Sequence, residues 1–119
     1  MKKKGSQEPS RRQQKVNSFL QQRISEIIIA GNFFGITGLV TISRVEVSPD
    51  LRESNVWFTS FNQDPEEVLA ILKKEVFEIQ GELYKGSTMR IVPRIHFVID
   101  HSLEYNDQIT KVLRKVKDE

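Results

Sequence analysis

The strongest constraint on the fold of this chain is a turn sequence between two segments that are rich in β-forming residues. Ser48-Pro49-Asp50 follows the β-branched segment 39–47, and serine, proline and aspartate are residues that favour turns. A second β-rich segment, 55–61, begins a few residues later. Strands joined by so short a link pair in antiparallel order. The sequence therefore predicts a β-hairpin at this position.

Amphipathic helices are predicted on both sides of the hairpin. The first covers 11–30, because Ser10 and Gln13 have the spacing of a capping box and apolar residues then recur at three- and four-residue steps. The second begins at an Asp-Pro pair, residues 64–65, in which the aspartate is an N-cap and the proline occupies the first helical position. Its helical pattern continues to Lys85.

A glycine lies inside this second helical pattern. Gly81 costs about 1 kcal/mol relative to alanine within a helix, and glycine tolerates a bent or left-handed backbone. We therefore expect Gly81 to divide the pattern into two shorter helices.

The remaining segments predict a third strand and a last helix. The strand lies within 88–100, where Pro93 marks an edge, a bulge or the start of regular pairing. Asn106 is suited to cap a short C-terminal helix. The predicted order, α-β-β-α-α-β-α, describes a single α+β domain with a three-stranded sheet.

The predicted domain organisation and core follow from these elements. A disordered basic arm, 1–9, precedes the folded domain, 10–103, and a helical extension, 104–119, follows it. The predicted core consists of apolar residues on the inner faces of these helices and strands: Val56, Phe58, Leu72, Val76, Ile95 and Phe97, buried against Leu20 and Ile27.

Charge is distributed unevenly along the chain. The net charge is +2 over 119 residues, but residues 1–15 carry six cations against one acid, so the remainder is net negative. This asymmetry favours contact with a polyanion through a basic arm and a few local patches rather than over the whole surface. The alternative is that the leading lysines form a solvated tail that aids solubility.

Several classes of site are disfavoured by the sequence. Cysteine is absent, which excludes disulfides, thiolate nucleophiles and Cys-ligated zinc. His96, Asp100, His101 and Glu104 are of metal-ligand types, but His96 and Asp100 would be ~13 Å apart on a strand that rises ~3.3 Å per residue. No phosphate-binding glycine motif or serine nucleophile motif is present. We predict neither a metal site nor catalytic residues, and no membrane-spanning segment.

Two motifs carry a resemblance to a known family. Val-Glu-Val-Ser-Pro-Asp-Leu-Arg occupies 45–52, and Pro-x-Ile-x-Phe-x-x-Asp occupies 93–100. Together they resemble ribosome-binding factor A, and the similarity extends from about Arg12 to Leu113. The resemblance implies a type II KH-like domain with an interhelical kink. It also implies binding to the free small ribosomal subunit and its 16S ribosomal RNA, with support for late assembly and processing of the RNA ends.

The same resemblance implies that no cofactor is needed. We also expect a cytoplasmic protein, which the absence of cysteine fits, and a monomer that uses no small-molecule substrate or membrane. Candidate RNA contacts are cations expected on the surface. They are Arg11, Arg12, Lys15, Arg23, Lys73, Lys74, Lys85 and Arg90. We expect the cations of the first helix to contribute more than the arm, because a helix orders them before binding.

The sequence departs from the family at the interhelical kink. The family usually carries Ala-x-Gly there, but the corresponding positions are Glu75, Val76 and Phe77, and a following arginine is replaced by Gln80. Either the kink has moved to Gly81 or the helix runs straighter. A second hypothesis follows, in which the acidic segment 75–82 has displaced RNA contact and the domain is a protein-interaction module.

Trp57 is the remaining candidate for a functional aromatic residue. It alternates with Val56 and Phe58 and therefore faces the other side of the sheet. An uncovered Trp57 is suited to stack on a base or to anchor a protein partner. The alternative is that it packs beneath the C-terminal helix.

Overall fold

The structure, a computed structural model, describes residues 8–102. The predicted C-terminal helix and almost all of the predicted arm lie outside the described residues. Five elements follow one another along the chain: α1 (Arg11–Gly31), β1 (Leu39–Val47), β2 (Glu53–Phe61), α2 (Pro65–Lys85) and β3 (Arg94–Ile99). They form a two-layer α+β fold.

The three strands form one sheet in the order β1-β2-β3. β1 and β2 pair antiparallel, with Leu39 opposite Phe61, which confirms the predicted hairpin. β3 pairs parallel to β2, with Glu53 opposite Arg94. α1 packs against β1 and α2 against β3, so the helices cover the face of the sheet that carries its buried residues.

The core lies between the helices and this inner face. Seven of the eight residues predicted for it are buried, and Val76 is partly buried at its margin. Phe58 is completely buried, and its ring meets that of Phe97 edge to face, with centroids 6.4 Å apart. The alternation predicted for β2 is thereby confirmed.

Local capping explains where the helices begin and end. The Gln13 amide donates to Ser10 Oγ at 3.1 Å, and the Ser10 amide donates to Gln13 Oε1 at 2.8 Å. This is the reciprocal capping box that the sequence predicts. α1 ends at Asn32, which is left-handed at φ 49°. α2 is capped by Asp64, whose Oδ1 accepts from the Glu66 amide at 3.0 Å.

Side-chain amides form hydrogen bonds with backbone groups at the two outer edges of the sheet. On β1, Gln13 Nε2 donates to the Val47 carbonyl at 3.1 Å and the Val47 amide donates to Asn17 Oδ1 at 2.9 Å. On β3, Gln80 Nε2 donates to the Pro93 carbonyl at 2.9 Å, and Gln80 Oε1 accepts from the Ile95 amide at 3.1 Å. Gln80 thus bonds to the β3 edge as a neighbouring strand would.

The predicted division of α2 at Gly81 is wrong. The helix runs without a break from Pro65 to Lys85, and Gly81 does not have a positive φ. Neither Gly81 nor the segment 75–77 interrupts it. Ile79 and Leu83 are both completely buried, so packing on the core holds the turns on either side of the glycine in one helix.

The strand boundaries differ from the prediction at two places. β2 begins at Glu53 rather than at residue 55. β3 begins at Arg94, so residues 88–93 belong to the loop before it rather than to the strand. Pro93 has no N–H to donate to the ladder, and regular pairing therefore starts directly after it, which was one of the predicted roles for this proline.

Candidate nucleic-acid interface

Three separate segments of the chain enclose a hollow that we call the basic cleft. It has a volume of about 360 Å³. Its walls come from the first turns of α1, the turn between β1 and β2, and the loop between α2 and β3. The lining residues are Arg12, Val16, Pro49, Asp50, Leu51, Met89, Arg90 and Ile91.

Local structure orders the two segments that carry the arginines of the basic cleft. The capping box orders the first turn of α1, from which Arg12 projects with its exposed neighbours Arg11 and Lys15. Arg90 lies in the loop between Gly86 and Pro93. Because Gln80 binds the end of this loop through the Pro93 carbonyl, the cleft depends on a contact made by α2.

The floor of the basic cleft is apolar, whereas its rim is cationic. Val16 and Met89 are half-buried, Leu51 is buried and Ile91 is half-exposed. Guanidinium groups bind phosphate in a bidentate manner, and apolar side chains contact unstacked bases. The combination is suited to a segment of unpaired RNA.

One carboxylate also lines the cleft. Asp50 Oδ1 accepts from Ser48 Oγ at 2.6 Å and from the Arg52 amide at 3.1 Å. These hydrogen bonds, that of Ser48 first, lower the pKa of Asp50 below its ordinary value. The Asp50 carboxylate is therefore engaged by hydrogen bonds within the turn. Because two guanidinium groups, those of Arg12 and Arg90, line the cleft with this one carboxylate, the lining is net positive.

The structure places Arg23 away from the basic cleft. Its guanidinium is 3.4 Å from Glu26 Oε1 and packs against Gly86, where an added Cβ would lie 2.8 Å from Nε. Gly86 is the C-cap of α2, so the positive charge also meets the negative end of that helix. Arg23 lines a different groove together with Glu78 and Glu82.

The lysines of α2 are likewise separated from the basic cleft. Lys73 and Lys74 are exposed, and Lys74 lines a hollow that also contains Glu67 and Glu75. Lys85 is exposed and lies 3.5 Å from Glu82. Of the predicted contacts, the structure brings only Arg12 and Arg90 into one hollow, with Arg11 and Lys15 on the adjoining turn of α1.

The four residues considered for a kink occupy different surroundings on α2. Glu75 and Val76 are half-buried, whereas Phe77 is 88% exposed. Gly81 is exposed, and a Cβ added to it would meet nothing within 4 Å. None of the four lines the basic cleft.

The ligand-type residues at the end of β3 make other contacts. His96 Nε2 lies 2.7 Å from Glu53 Oε1. Asp100 Oδ2 accepts from Ser43 Oγ at 2.6 Å, and this hydrogen bond is the main cause of a lowered pKa for Asp100. Within residues 8–102 no three histidine or carboxylate side chains are grouped to hold a metal ion. Glu104 lies outside the described residues.

Trp57 already has a partner on the outer face of the sheet. A register irregularity between Ile42 and Arg44 places Arg44 opposite Trp57, and the Arg44 guanidinium carbon lies 3.9 Å from the ring centroid. This cation–π contact occupies one face of the half-buried indole. Whether the predicted C-terminal helix covers Trp57 concerns residues outside the described part.

Sequence reasoning missed the apolar half of the basic cleft. Met89, Ile91 and Leu51 carry no local signal of function, because only the packing of three distant segments unites them. One signal was available: Gln80 departs from the arginine that the family resemblance implies, and in this structure its side chain bonds to Pro93 and Ile95, at the end of the loop that contains Arg90.

Fold and surface together define a small α+β domain with a cationic cleft at one end of its helical layer. In the described part of the chain, neither helix is both long and apolar enough to cross a membrane. The family model of ribosome-binding factor A matches residues 12–113. The chain therefore belongs to the ribosome-binding factor A family.

Individual relatives agree with this assignment. Ribosome-binding factor A of Thermomicrobium roseum is 32% identical over 113 residues, covering 93% of this chain and 88% of that protein. The Legionella pneumophila (strain Lens) protein is 35% identical over 81 residues, which are 68% of this chain. The match to that relative spans 66% of its length.

A fitted homology model of another relative shares the fold. The Thermus thermophilus ribosome-binding factor A, a homology model fitted into an electron cryo-microscopy map of a 30S complex, superposes with a TM-score of 0.59 at 24% identity. The match covers 71% of this chain and 91% of that one. At this identity the likeness concerns the fold.

Proposed function

We propose that this chain is a ribosome maturation factor that binds the free small ribosomal subunit and its 16S ribosomal RNA. It assists late assembly and the processing of the RNA ends. Family membership supports the ribosomal target, as does the 30S complex in which the Thermus relative has been placed. The proposed action is binding, without a catalytic step, a cofactor or a small-molecule substrate.

The observation that carries the RNA contact is the basic cleft. Arg12 and Arg90 line the same hollow as several apolar side chains. This local positive charge is notable because the segment 16–119 as a whole is net negative. Phosphate contacts to the two guanidinium groups would place an unpaired nucleotide against Met89 and Ile91. Arg11, Lys15 and the leading lysines extend this contact, and Lys73, Lys74 and Lys85 provide weaker outer contacts.

The proposal includes the domain class and the state of the protein. The order α-β-β-α-β, with β2 and β3 parallel, supports a type II KH-like domain in which α2 stays unbroken. We propose that it works as a cytoplasmic monomer, with a C-terminal helix following β3.

Cosedimentation with purified ribosomal particles tests this function. The full chain is mixed with free small subunits or with whole ribosomes at several salt concentrations. We expect preferential binding to free small subunits, with an affinity that falls as salt rises because phosphate contacts release counterions. Equal binding to whole ribosomes would contradict the assembly role, and salt-independent binding would favour the protein-interaction alternative.

A further inference from the structure

A second hollow lies between the last turns of α1 and the second half of α2, and we call it the acidic groove. It has a volume of about 380 Å³ and shares no lining residue with the basic cleft. The residues that line it are Arg23, Glu26, Ile27, Ala30, Gly31, Phe33, Glu78 and Glu82.

The floor of the acidic groove is apolar. Ile27 is buried, Phe33 is half-buried and Ala30 is exposed. The Phe33 ring lies over Gly31, where an added Cβ would come within 2.7 Å of Cζ. The neighbouring Phe34 is 94% exposed. This apolar surface is therefore open to solvent and continues onto the loop that follows α1.

The rim of the acidic groove is dominated by carboxylates. Three carboxylates line it, those of Glu26, Glu78 and Glu82. Glu26 pairs with Arg23 at 3.4 Å, and Glu82 lies 3.5 Å from Lys85 in an exposed i,i+3 pair, which is a weak type of ion pair. The Glu78 side chain makes no hydrogen bond or ion pair with any residue in the described range 8–102. The negative charge available to a ligand is therefore that of Glu78, with Glu82 beside it in an exposed pair.

We propose that the acidic groove binds a lysine- and arginine-rich segment of a partner protein. RNA phosphates would be repelled by the rim, whereas a basic side chain satisfies both features at once. Its aliphatic stem packs on Ile27 and Phe33, and its charged end reaches Glu78 and Glu82. This contact goes beyond the proposed RNA binding, because it uses other residues and a partner of opposite charge.

Binding of a synthetic peptide tests the acidic groove. The probe is a fluorescently labelled peptide of repeated Arg-Leu-Lys, and its control replaces the cations by glutamine. Glu78→Gln with Glu82→Gln should weaken binding of the basic peptide to the full chain about tenfold, because two charged contacts are lost. The matched control is Glu46→Gln with Glu53→Gln, which removes the same charge from two exposed residues outside the groove. It should change binding less than about twofold.

Equal weakening by the two double variants, or tight binding of the glutamine control peptide, would overturn this proposal. Binding of oligouridine, a single-stranded RNA, is measured with the same variants. Its loss in the groove variant would also overturn the proposal, because the groove would then contact RNA. The chain's own basic arm is a further competitor. If deletion of residues 1–9 tightens peptide binding about tenfold, the arm is the occupant and a partner protein is not.

The outcome is separable from that of the RNA proposal. Arg12→Gln with Arg90→Gln should lower small-subunit binding while leaving peptide binding within about twofold of wild type. Failure of the peptide test alone would leave the basic cleft as the RNA contact.

Discussion

The basic cleft and the acidic groove are two hollows that both use α1, at its first and its last turns respectively, and they differ mainly in the charge of their lining residues. Each is lined by apolar side chains that range from buried to exposed. Arg12 and Arg90 line the basic cleft, whereas Glu78 and Glu82 line the acidic groove. The comparison shows that the placement of charge distinguishes these surfaces, since a net charge of +2 for the whole chain describes neither.

The two hollows also differ in how they are held. The acidic groove is formed by residues of α1, α2 and the residues just after α1, and rests on helix packing. The basic cleft uses a loop whose end is fixed by the side chain of Gln80. Substitutions in the shared core should therefore affect both hollows, whereas substitutions at these local supports should affect one.

The largest expected effect is on the core that both hollows share. Phe58→Ala should lower the free energy of unfolding by about 3–5 kcal/mol, because it removes a completely buried ring. Phe77→Ala is the matched control: it deletes the same side chain from a site that is 88% exposed, and should cost below about 0.5 kcal/mol. Denaturant titration measures both. A loss below about 1 kcal/mol for Phe58→Ala would mean that β2 faces the other way.

A smaller effect is expected at the support of the basic cleft alone. Gln80→Ala should cost about 1–3 kcal/mol, because it leaves the Ile95 amide and the Pro93 carbonyl without these partners. Amide hydrogen exchange at Ile95 should accelerate, and small-subunit affinity should fall while binding of the basic peptide is retained. Gln14→Ala removes an exposed amide as a control. Unchanged exchange at Ile95 would contradict the bracing role of Gln80.

Gly81→Ala should stabilise the protein by up to about 1 kcal/mol. The position is helical and exposed, and an added Cβ meets nothing within 4 Å. Gly35→Ala should destabilise instead, since Gly35 has φ +94° and its Cβ would lie 2.9 Å from Ile71 Cδ1. Thermal melts distinguish the two. Destabilisation by Gly81→Ala would indicate a bend in α2 after all.

The smallest effect concerns acidification. The hydrogen bond from Ser43 lowers the pKa of Asp100 in the folded state. The resulting stability is present above the pKa of the unfolded chain, about 4, and is lost as pH falls through the lower folded pKa. Asp100→Asn should flatten this part of the pH dependence of unfolding between pH values of about 6 and 3. An unchanged pH profile would show that the bond does not stabilise the fold.

Local signals predicted much of the fold, because caps and turns act within a few residues. The bounds of β1 and the starts of both helices match the prediction. Gly81 was misjudged because burial of Ile79 and Leu83 outweighs a local preference. The sequence offered more candidate cations than the structure unites, because residue type alone does not show that Arg23 lies beside glutamates while Arg12 and Arg90 line one cleft.

The salt dependence of small-subunit binding tests directly whether the basic cleft contacts RNA. The test uses two double variants. One carries both Arg12→Gln and Arg90→Gln, and the matched control carries both Lys73→Gln and Lys74→Gln, which removes equal charge from α2. Each lost phosphate contact lowers the slope of log affinity against log salt by roughly 0.7–0.9. We predict that the arginine pair lowers this slope by about 1.5 and weakens binding, whereas the lysine pair changes both less. Equal losses from the two pairs, or a wild-type slope for the arginine pair, would contradict the basic cleft as the RNA contact.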